Sequence, residues 1–414
     1  MAPNERGHRM YIKREIEQTI DEHLRQFKVV LVTGARQVGK TTVLKEHLAE
    51  SFSYSTLEDP EAYRLADTDA LLFFRSESLP LIIDEVQRVP SLFQTVKFIV
   101  DQSEERGLVV LTGSQTYELM RGVSESLAGR IGILEMSGLS LGELAMRSPE
   151  RRAYIPRQLG RGECPQAPVD FDLWGHIQRG SMPQLCATDI PWDRFWSSYV
   201  QAYLERDVRA LVNLRSERKF YDFMVAAAAR SGQLFNASDI ASDIGVDYKT
   251  VQDWTSILQA SGIIRIIQPF WPNVGKRLTK TPKVFFMDTG LVCYLTRWTT
   301  PDVLRNGAAA GQVFETFVVS EVLKSYMNAG ANVRDVWFYR DSRKREIDLV
   351  IQEGHVLHPV EIKKGVQIGA EAVKSFSCLE KMPGYEVGFG HVICQTEEPY
   401  FISRDVQAVP VWAI

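Results

Sequence analysis

Cysteine is scarce and scattered in these 414 residues: there are five, at Cys164, Cys186, Cys293, Cys378 and Cys394, with no CxxC pair and no Cys/His ligand spacing. That excludes a disulfide-stapled secreted scaffold, argues against a zinc site and fits a reducing cytosol. No apolar run reaches the ~18 residues that a membrane span needs, and the N-terminal MAPNERGHRMYIKREIEQ has no apolar signal core. The expectation is a soluble, cytoplasmic protein without a membrane partner. An excess of one charge is missing too: 48 Lys+Arg stand against 52 Asp+Glu, a formal charge of −4. A nucleic-acid partner would have to be held by local basic patches, because the whole-chain field does not favour a polyanion. With 45% hydrophobic and 24% charged residues the composition is globular. At roughly 100–200 residues per domain, the length implies two to four domains.

The clearest chemistry lies in the first third. A β-branched run, Lys28 to Thr33, leads into Gly34-Ala35-Arg36-Gln37-Val38-Gly39-Lys40-Thr41-Thr42 and then a helix-like segment. Strand, glycine loop and helix are the context in which a P-loop works. Its glycines let backbone N–H groups turn inward around phosphate oxygens, Lys40 reaches the β- and γ-phosphates, and Thr41 places a hydroxyl on Mg²⁺. ATP and Mg²⁺ are the implied cofactors. A second apolar strand, Leu79 to Ile83, ends in Asp84-Glu85. In a parallel sheet this brings two carboxylates to the carboxyl edge beside the phosphates: Asp84 for Mg²⁺ and Glu85 to polarise the attacking water. A third strand, Gly107 to Thr112, ends in Gly113-Ser114-Gln115, and Ser114 is the candidate sensor of the γ-phosphate or lytic water. Downstream, Arg130 is either a surface arginine or a finger reaching the γ-phosphate of a neighbouring subunit.

In that order, GARQVGKTT, LIIDEVQ, LTGSQ and SLAGR resemble the AAA+ type P-loop ATPases of bacteria and archaea. They resemble in particular a widespread family in which an AAA+ module is fused to a C-terminal domain of unknown function. Where such proteins often carry a second Ser or an Asn, this chain has Gln115, so the water-orienting role is shared between Ser114 and Gln115 as candidates.

Residues 148–168 are rich in Arg, Pro and Gly without periodicity and read as a loop leaving the ATPase core. Phe195, Tyr199, Tyr203, Val208 and Leu211 then recur at helical intervals, giving a lid or connector helix. Arg206 and Arg209 on it are second-sensor candidates, with a plain charged face the stronger reading. Next come a helix from Asn236, a turn at Gly245 and a second helix through Leu258, the spacing of a helix-turn-helix. Two strands follow, with Lys276, Arg277, Lys280 and Lys283 between or beside them. A winged helix is expected, Tyr248, Lys249, Thr250 and Gln252 facing a DNA groove and the basic wing neutralising phosphates. The competing reading is a packing module, since Asp243, Asp247 and Asp253 dilute that face.

In the C-terminal third, residues 311–326 read as an amphipathic helix, and residues 346–352 and 356–363 as strands joined by a turn at Glu353-Gly354. A turn centred there sets 348 opposite 359 and 346 opposite 361. Glu346, Asp348, Glu361 and Lys363 then share one face, and Ile347, Leu349, Val360 and Ile362 the other. The spacing resembles the PD-(D/E)xK nuclease core. That resemblance implies metal binding by Asp348 and Glu361, water activation by Lys363, and an upstream helix acid at Glu315.

The fold expected is α/β in four parts. Residues 1–150 form a P-loop AAA+ parallel-sheet domain, 151–215 a helical lid or connector, 216–295 a winged helix, and 296–414 a restriction-endonuclease-like α/β domain. The function expected is an ATPase that remodels or moves on DNA, branched DNA included, as a homo-oligomer. Its C-terminal domain binds or cleaves DNA. The alternative is a slow nucleotide-controlled switch or scaffold with a DNA or protein partner and no cleavage.

Overall fold

The computed structural model describes residues 11–114, 126–145, 152–160, 164–208, 217–272 and 281–414, with Leu119 and Val123 between the first two stretches. Its first sheet contains β1 (Val29–Gly34), β2 (Ser53–Thr56), β3 (Leu81–Asp84), β4 (Val109–Thr112) and β5 (Ile131–Met136). The strands are all parallel, in the order β2-β3-β4-β1-β5. The runs VVLV, LIID and VVLT are buried throughout, as strands covered on both faces must be. Alternation divides them. Val29, Leu31, Leu81, Ile83 and Leu111 pack with Phe73, Phe93 and Val96 on one face. Val30, Val32, Ile82 and Val110 pack with Val43, Leu44, Ile16 and Ile20 on the other. The helix Lys40–Leu48 leaves the carboxyl end of β1, and Gly39, at φ 93°, sits at its N-cap in the left-handed region open to glycine.

Helices occupy most of the next stretch. In Trp192–Tyr203 the residues Phe195, Trp196, Tyr199, Val200 and Tyr203 are buried, as the periodicity requires; Val208 is buried beyond it, while Leu211 lies outside the described residues. The helices Glu217–Ala228, Ala237–Ile244 and Tyr248–Ala260 follow, the second closed by Gly245 at φ 67° and the third capped by the Asp247 side chain. Then β6 (Ile264–Ile267) pairs antiparallel with β7 (Lys283–Phe286). Lys276, Arg277 and Lys280 lie outside the described residues. Lys283 does not join an exposed basic wing: it is 3% exposed and faces carboxylates of the C-terminal part.

The C-terminal sheet contains β8 (Val336–Arg340), β9 (Glu346–Glu353), β10 (Val356–Ile362), β11 (Glu386–Val387), β12 (Gly390–Cys394), β13 (Tyr400–Ser403) and β14 (Val406–Pro410). The order is β13-β14-β12-β10-β9-β8, with β11 beside β10. The pairs β8–β9 and β9–β10 are antiparallel, β10–β12 and β12–β14 parallel. The helix Ala310–Asn328 in front of it is not amphipathic as expected: every residue from Thr316 to Lys324 is buried. It is covered on several sides, because its polar residues find partners inside.

Those partners join the parts of the chain. Lys324 donates to Glu321 at 2.7 Å and to the Leu139 carbonyl at 2.9 Å, while Glu321 accepts from the Leu141 N–H at 2.8 Å. Glu143, three residues after Ser140 in a capping box, holds the buried Arg14 at 2.8 Å. Arg14 in turn donates to the carbonyls of Ser137 and of Val38 in the glycine loop, both at 2.8 Å. Residues 152–160, expected as a loop leaving the core, have no regular structure but are pinned to the C-terminal sheet. Leu159 and Gln407 exchange two hydrogen bonds, and His391 bridges the Tyr154 hydroxyl and the Arg157 carbonyl. The carbonyl only accepts, so Nε2 carries the proton and Nδ1 accepts from Tyr154. The largest apolar cluster runs from Ile16 to Trp412. No helix among the described residues is long and apolar enough to cross a membrane.

Arg14→Ala leaves Glu143 buried without its cation and should cost about 3–5 kcal/mol, read as a lower denaturant midpoint; an unchanged midpoint would show that the clamp carries no stability. Burial pushes His391 down to about 4, below its ordinary 6.5. The unfolded chain therefore binds the extra proton first on acidification, and stability present above pH 6.5 is lost as the pH falls toward 4. Denaturation at stepped pH should show this slope, and His391→Gln should flatten it.

Candidate functional site

The loop after β1 is shaped by its backbone. Gly34 has φ 145°, and a Cβ there would lie 2.0 Å from the Met136 carbonyl oxygen on β5. Gln37 is left-handed at φ 61° and exposed, Arg36 is half-buried, and Thr42 is exposed on the helix that begins at Lys40. Ala35 and Val38 line a cavity shared with Met136, Met182, Gly262 and Asp288. The middle segment therefore borders the loop directly: a Cβ on Gly262 would stand 3.3 Å from the Ala35 nitrogen. Asp288 accepts from the Ser181 and Gly290 backbone N–H groups, and burial pushes its carboxyl above the usual range. Lys40 is buried, with its ammonium on the carbonyls of Gly34 at 3.1 Å and Ala35 at 2.8 Å.

At the carboxyl edge of β3 the expected pair comes together with this loop. The Thr41 hydroxyl donates to Asp84 Oδ2 at 2.9 Å, and Tyr54, on β2, donates to the same oxygen at 2.7 Å. Tyr54 was not legible as a site residue, since its strand carries no motif. Burial first, and then the neighbouring Asp84, push its phenol above the ordinary range. Glu85 is left-handed at φ 56°, a conformation uncommon outside glycine that concentrates at functional positions. Its carboxylate accepts from the Gln87 amide, and a Cβ on Gly113 would meet Gln87 Oε1. Ser114 is buried just beyond β4; Gln115 lies outside the described residues. Thr41 and Asp84 fit Mg²⁺: a hydroxyl and a carboxylate already share one locus, and all of Asp84's named donors are neutral.

Arg130 stands elsewhere. Ile131, the next residue, pairs with Val29 at the amino end of β1, while Gly34 pairs with Met136 at the carboxyl end. At ~3.3 Å per residue those ends are roughly 17 Å apart. Arg130 makes a two-point pair with Asp101, Nε–Oδ1 at 2.5 Å and Nη2–Oδ2 at 2.9 Å. It does not reach the loop of its own chain, so a finger role requires a second copy. The side chain of Arg206, and Arg209 altogether, lie outside the described residues.

On the helix Tyr248–Ala260, Tyr248, Lys249 and Gln252 are exposed, with Gln252 donating to the Tyr248 hydroxyl at 2.9 Å. Thr250 is half-buried and engaged by Asp247, whose carboxylate caps the helix. Arg230 pairs with Asp243.

The C-terminal hairpin keeps the expected faces with a different register. Glu353 pairs with Val356 and Leu349 with Val360, so the turn is Gly354-His355 and Asp348 stands across from Glu361 rather than from Pro359. A two-residue shift preserves parity, which is why the four polar residues remain on one face. Lys363 binds Glu361 at 2.5 Å and Asp348 at 3.8 Å, and the Ile362 N–H donates to Asp348 at 2.8 Å. Glu361 Oε2 is buried without a hydrogen-bond partner. Burial and then Asp348 push the Glu361 carboxyl up to about 8. Glu315 does not join them as a third ligand. Its carboxylate accepts from Lys283 at 2.9 Å, and burial, then Asp348, push it up to about 7 against the pull of Lys283. Lys283 also binds Glu346 at 2.6 Å, and Arg340 binds the other Glu346 oxygen at 2.7 Å. Among the described residues no group of three His, Cys, Asp or Glu side chains gathers around one point. Lys363 lies against Glu361 and Asp348, and Lys283 against Glu315.

Residues 26–145 match the family described as AAA domain, 170–302 a domain of unknown function (DUF8612), and 310–414 another (DUF4143). Over 370 residues the chain is 27% identical to the uncharacterized proteins Rv2008c of Mycobacterium tuberculosis and Mb2031c of Mycobacterium bovis, covering 88% of this chain and 76% of each. Among solved structures, the Walker-type ATPase PABY2304 of Pyrococcus abyssi aligns with a TM-score of 0.41 at 14% identity, over 71% of this chain and 98% of its own. The RuvB Holliday junction branch migration motor of Thermotoga maritima aligns at 0.28 and 16%, over 60% and 88%. With its glycine loop, its parallel sheet and the Thr41–Asp84 pair, the segment 26–145 is a P-loop ATPase domain of the AAA type.

Proposed function

We propose that this protein hydrolyses ATP with Mg²⁺ and uses the turnover to rearrange DNA held by its middle and C-terminal parts. The observation that carries the hydrolytic half is the meeting of Thr41, Asp84 and Glu85 at one carboxyl edge beside the glycine loop. Thr41 and Asp84 would hold Mg²⁺, which supplies charge neutralisation at the β- and γ-phosphate oxygens. Lys40 moves its ammonium from two loop carbonyls to those oxygens, and the N-terminus of its helix directs N–H groups at them. Glu85 orients the attacking water and draws on its proton, with Ser114 as the adjacent sensor.

The DNA half rests on the exposed Tyr248, Lys249 and Gln252 of a winged-helix reading, and on the nuclease-like strand pattern around Asp348, Glu361 and Lys363. In this reading the C-terminal part binds DNA, branched DNA included. The finger reading of Arg130 carries a homo-oligomer with it, because this residue would serve a γ-phosphate only across a subunit boundary. A slow switch working with a DNA or protein partner is the second reading. It is favoured by Glu85 being engaged by Gln87 and Lys40 by its own loop, so that turnover waits on their release.

Lys40→Ala should abolish hydrolysis, and Glu85→Gln should lower kcat by about 10²–10⁴-fold while nucleotide still binds. Steady-state phosphate release checks both, and wild-type rates in Glu85→Gln would discard that assignment. Duplex, single-stranded or four-way DNA should stimulate the rate, and Lys249→Glu should weaken the stimulation. Slow hydrolysis indifferent to every DNA would leave the switch reading.

A further inference from the structure

The nuclease-like cluster already contains a cation, and it comes from outside the C-terminal segment. Lys283 opens β7, within the matched region 170–302, whereas Glu315, Glu346, Asp348 and Glu361 all belong to 310–414. Its ammonium is 2.9 Å from Glu315 and 2.6 Å from Glu346, with the side chain 3% exposed. Burial alone would discharge such a lysine. Glu315, Asp348 and Glu346 outweigh it and hold the group well above its ordinary pKa. Around the cluster, four carboxylates meet three cations, Lys283, Lys363 and Arg340. The charge a divalent ion would neutralise is already largely met, and the geometry differs from what one needs. The ammonium donates to carboxylate oxygens at 2.6–2.9 Å, while Mg²⁺ demands an octahedron at about 2.0–2.1 Å. One oxygen is left over: Glu361 Oε2 is buried without a hydrogen-bond partner, beside Asp348.

We propose that Lys283 is the resident cation of this cluster, standing where a divalent ion would join Glu315 to Asp348. The wild-type cluster therefore takes no divalent metal, and removing the ammonium turns it into a Mg²⁺- or Mn²⁺-binding site. The inference rests on these carboxylates forming a site, and not on any DNA chemistry. Metal uptake is measured without DNA, so its failure and the failure of DNA binding are separate results.

The test is a Mn²⁺ titration of the full nucleotide-free chain followed by electron paramagnetic resonance, with Asp348→Asn variants assigning ions to this cluster. Wild-type protein should show no Asp348-dependent uptake up to about 1 mM. Lys283→Met should bind one further ion at least about ten-fold more tightly than wild type and lose it in Lys283→Met/Asp348→Asn. Lys283→Arg keeps the positive charge and should stay metal-free. If Lys283→Met is unstable alone, a thermal midpoint raised by Mn²⁺ only while Asp348 is intact gives the same result, and Lys283→Gln is measured alongside it. Asp348-dependent uptake by wild type as tight as in Lys283→Met overturns the proposal. So does a folded Lys283→Met or Lys283→Gln that takes up no ion.

Discussion

A guanidinium buried to 3% exposure must satisfy its donors inside the protein, and Arg14 does so on three separate pieces of chain. Its Nε meets Glu143, one Nη the Val38 carbonyl of the glycine loop, and the other the Ser137 carbonyl just past β5. The same stretch after β5 receives Lys324 and Glu321 from the helix Ala310–Asn328. None of these charges has water to fall back on, so the loop, the end of the parallel sheet and the long helix hold one another in place. The conformation that cradles phosphate is thus fixed in part by residues far from it in the chain.

Two aspartates show how surroundings decide what a carboxylate can do. Asp84 is met by the hydroxyls of Thr41 and Tyr54 and a backbone N–H, all neutral donors that orient it and leave its charge uncompensated. Asp348 lies among Lys283 and Lys363: burial pushes its carboxyl above the usual range, and the two ammonium groups pull it back down. The first arrangement leaves a negative charge to be neutralised by a hard cation. In the second, protein has largely supplied that neutralisation itself. Both are buried or nearly buried acids on strands, so placement on a strand alone does not distinguish them.

What was legible in the sequence was what is local. The glycine loop, Asp84-Glu85 and the helix-Gly245-helix pattern are runs of neighbours whose chemistry and geometry are set within a dozen residues. The hairpin face survived a register error because side chains repeat every two residues and the error was two. Tyr54, Arg14 and Lys283 were not legible as site or clamp residues, because each acts through a partner on another element. Lys283 follows Lys276, Arg277 and Lys280 in the sequence and so reads as part of a basic wing, and only its burial against Glu315 and Glu346 shows that it turns inward. The helix Ala310–Asn328 misled for a related reason: Ser320, Glu321 and Lys324 look like a solvent face until their buried partners are known.

The cluster around Asp348 straddles the junction between the matched segments ending at 302 and beginning at 310. A description made segment by segment would assign the acids to one part and the lysine to the other, and would see neither a charge balance nor a reason for either. Chains that share the last hundred residues but differ upstream therefore need not share this chemistry. Joining the C-terminal segment to an upstream segment without this lysine would take one of the cluster's three cations away without altering one residue of 310–414.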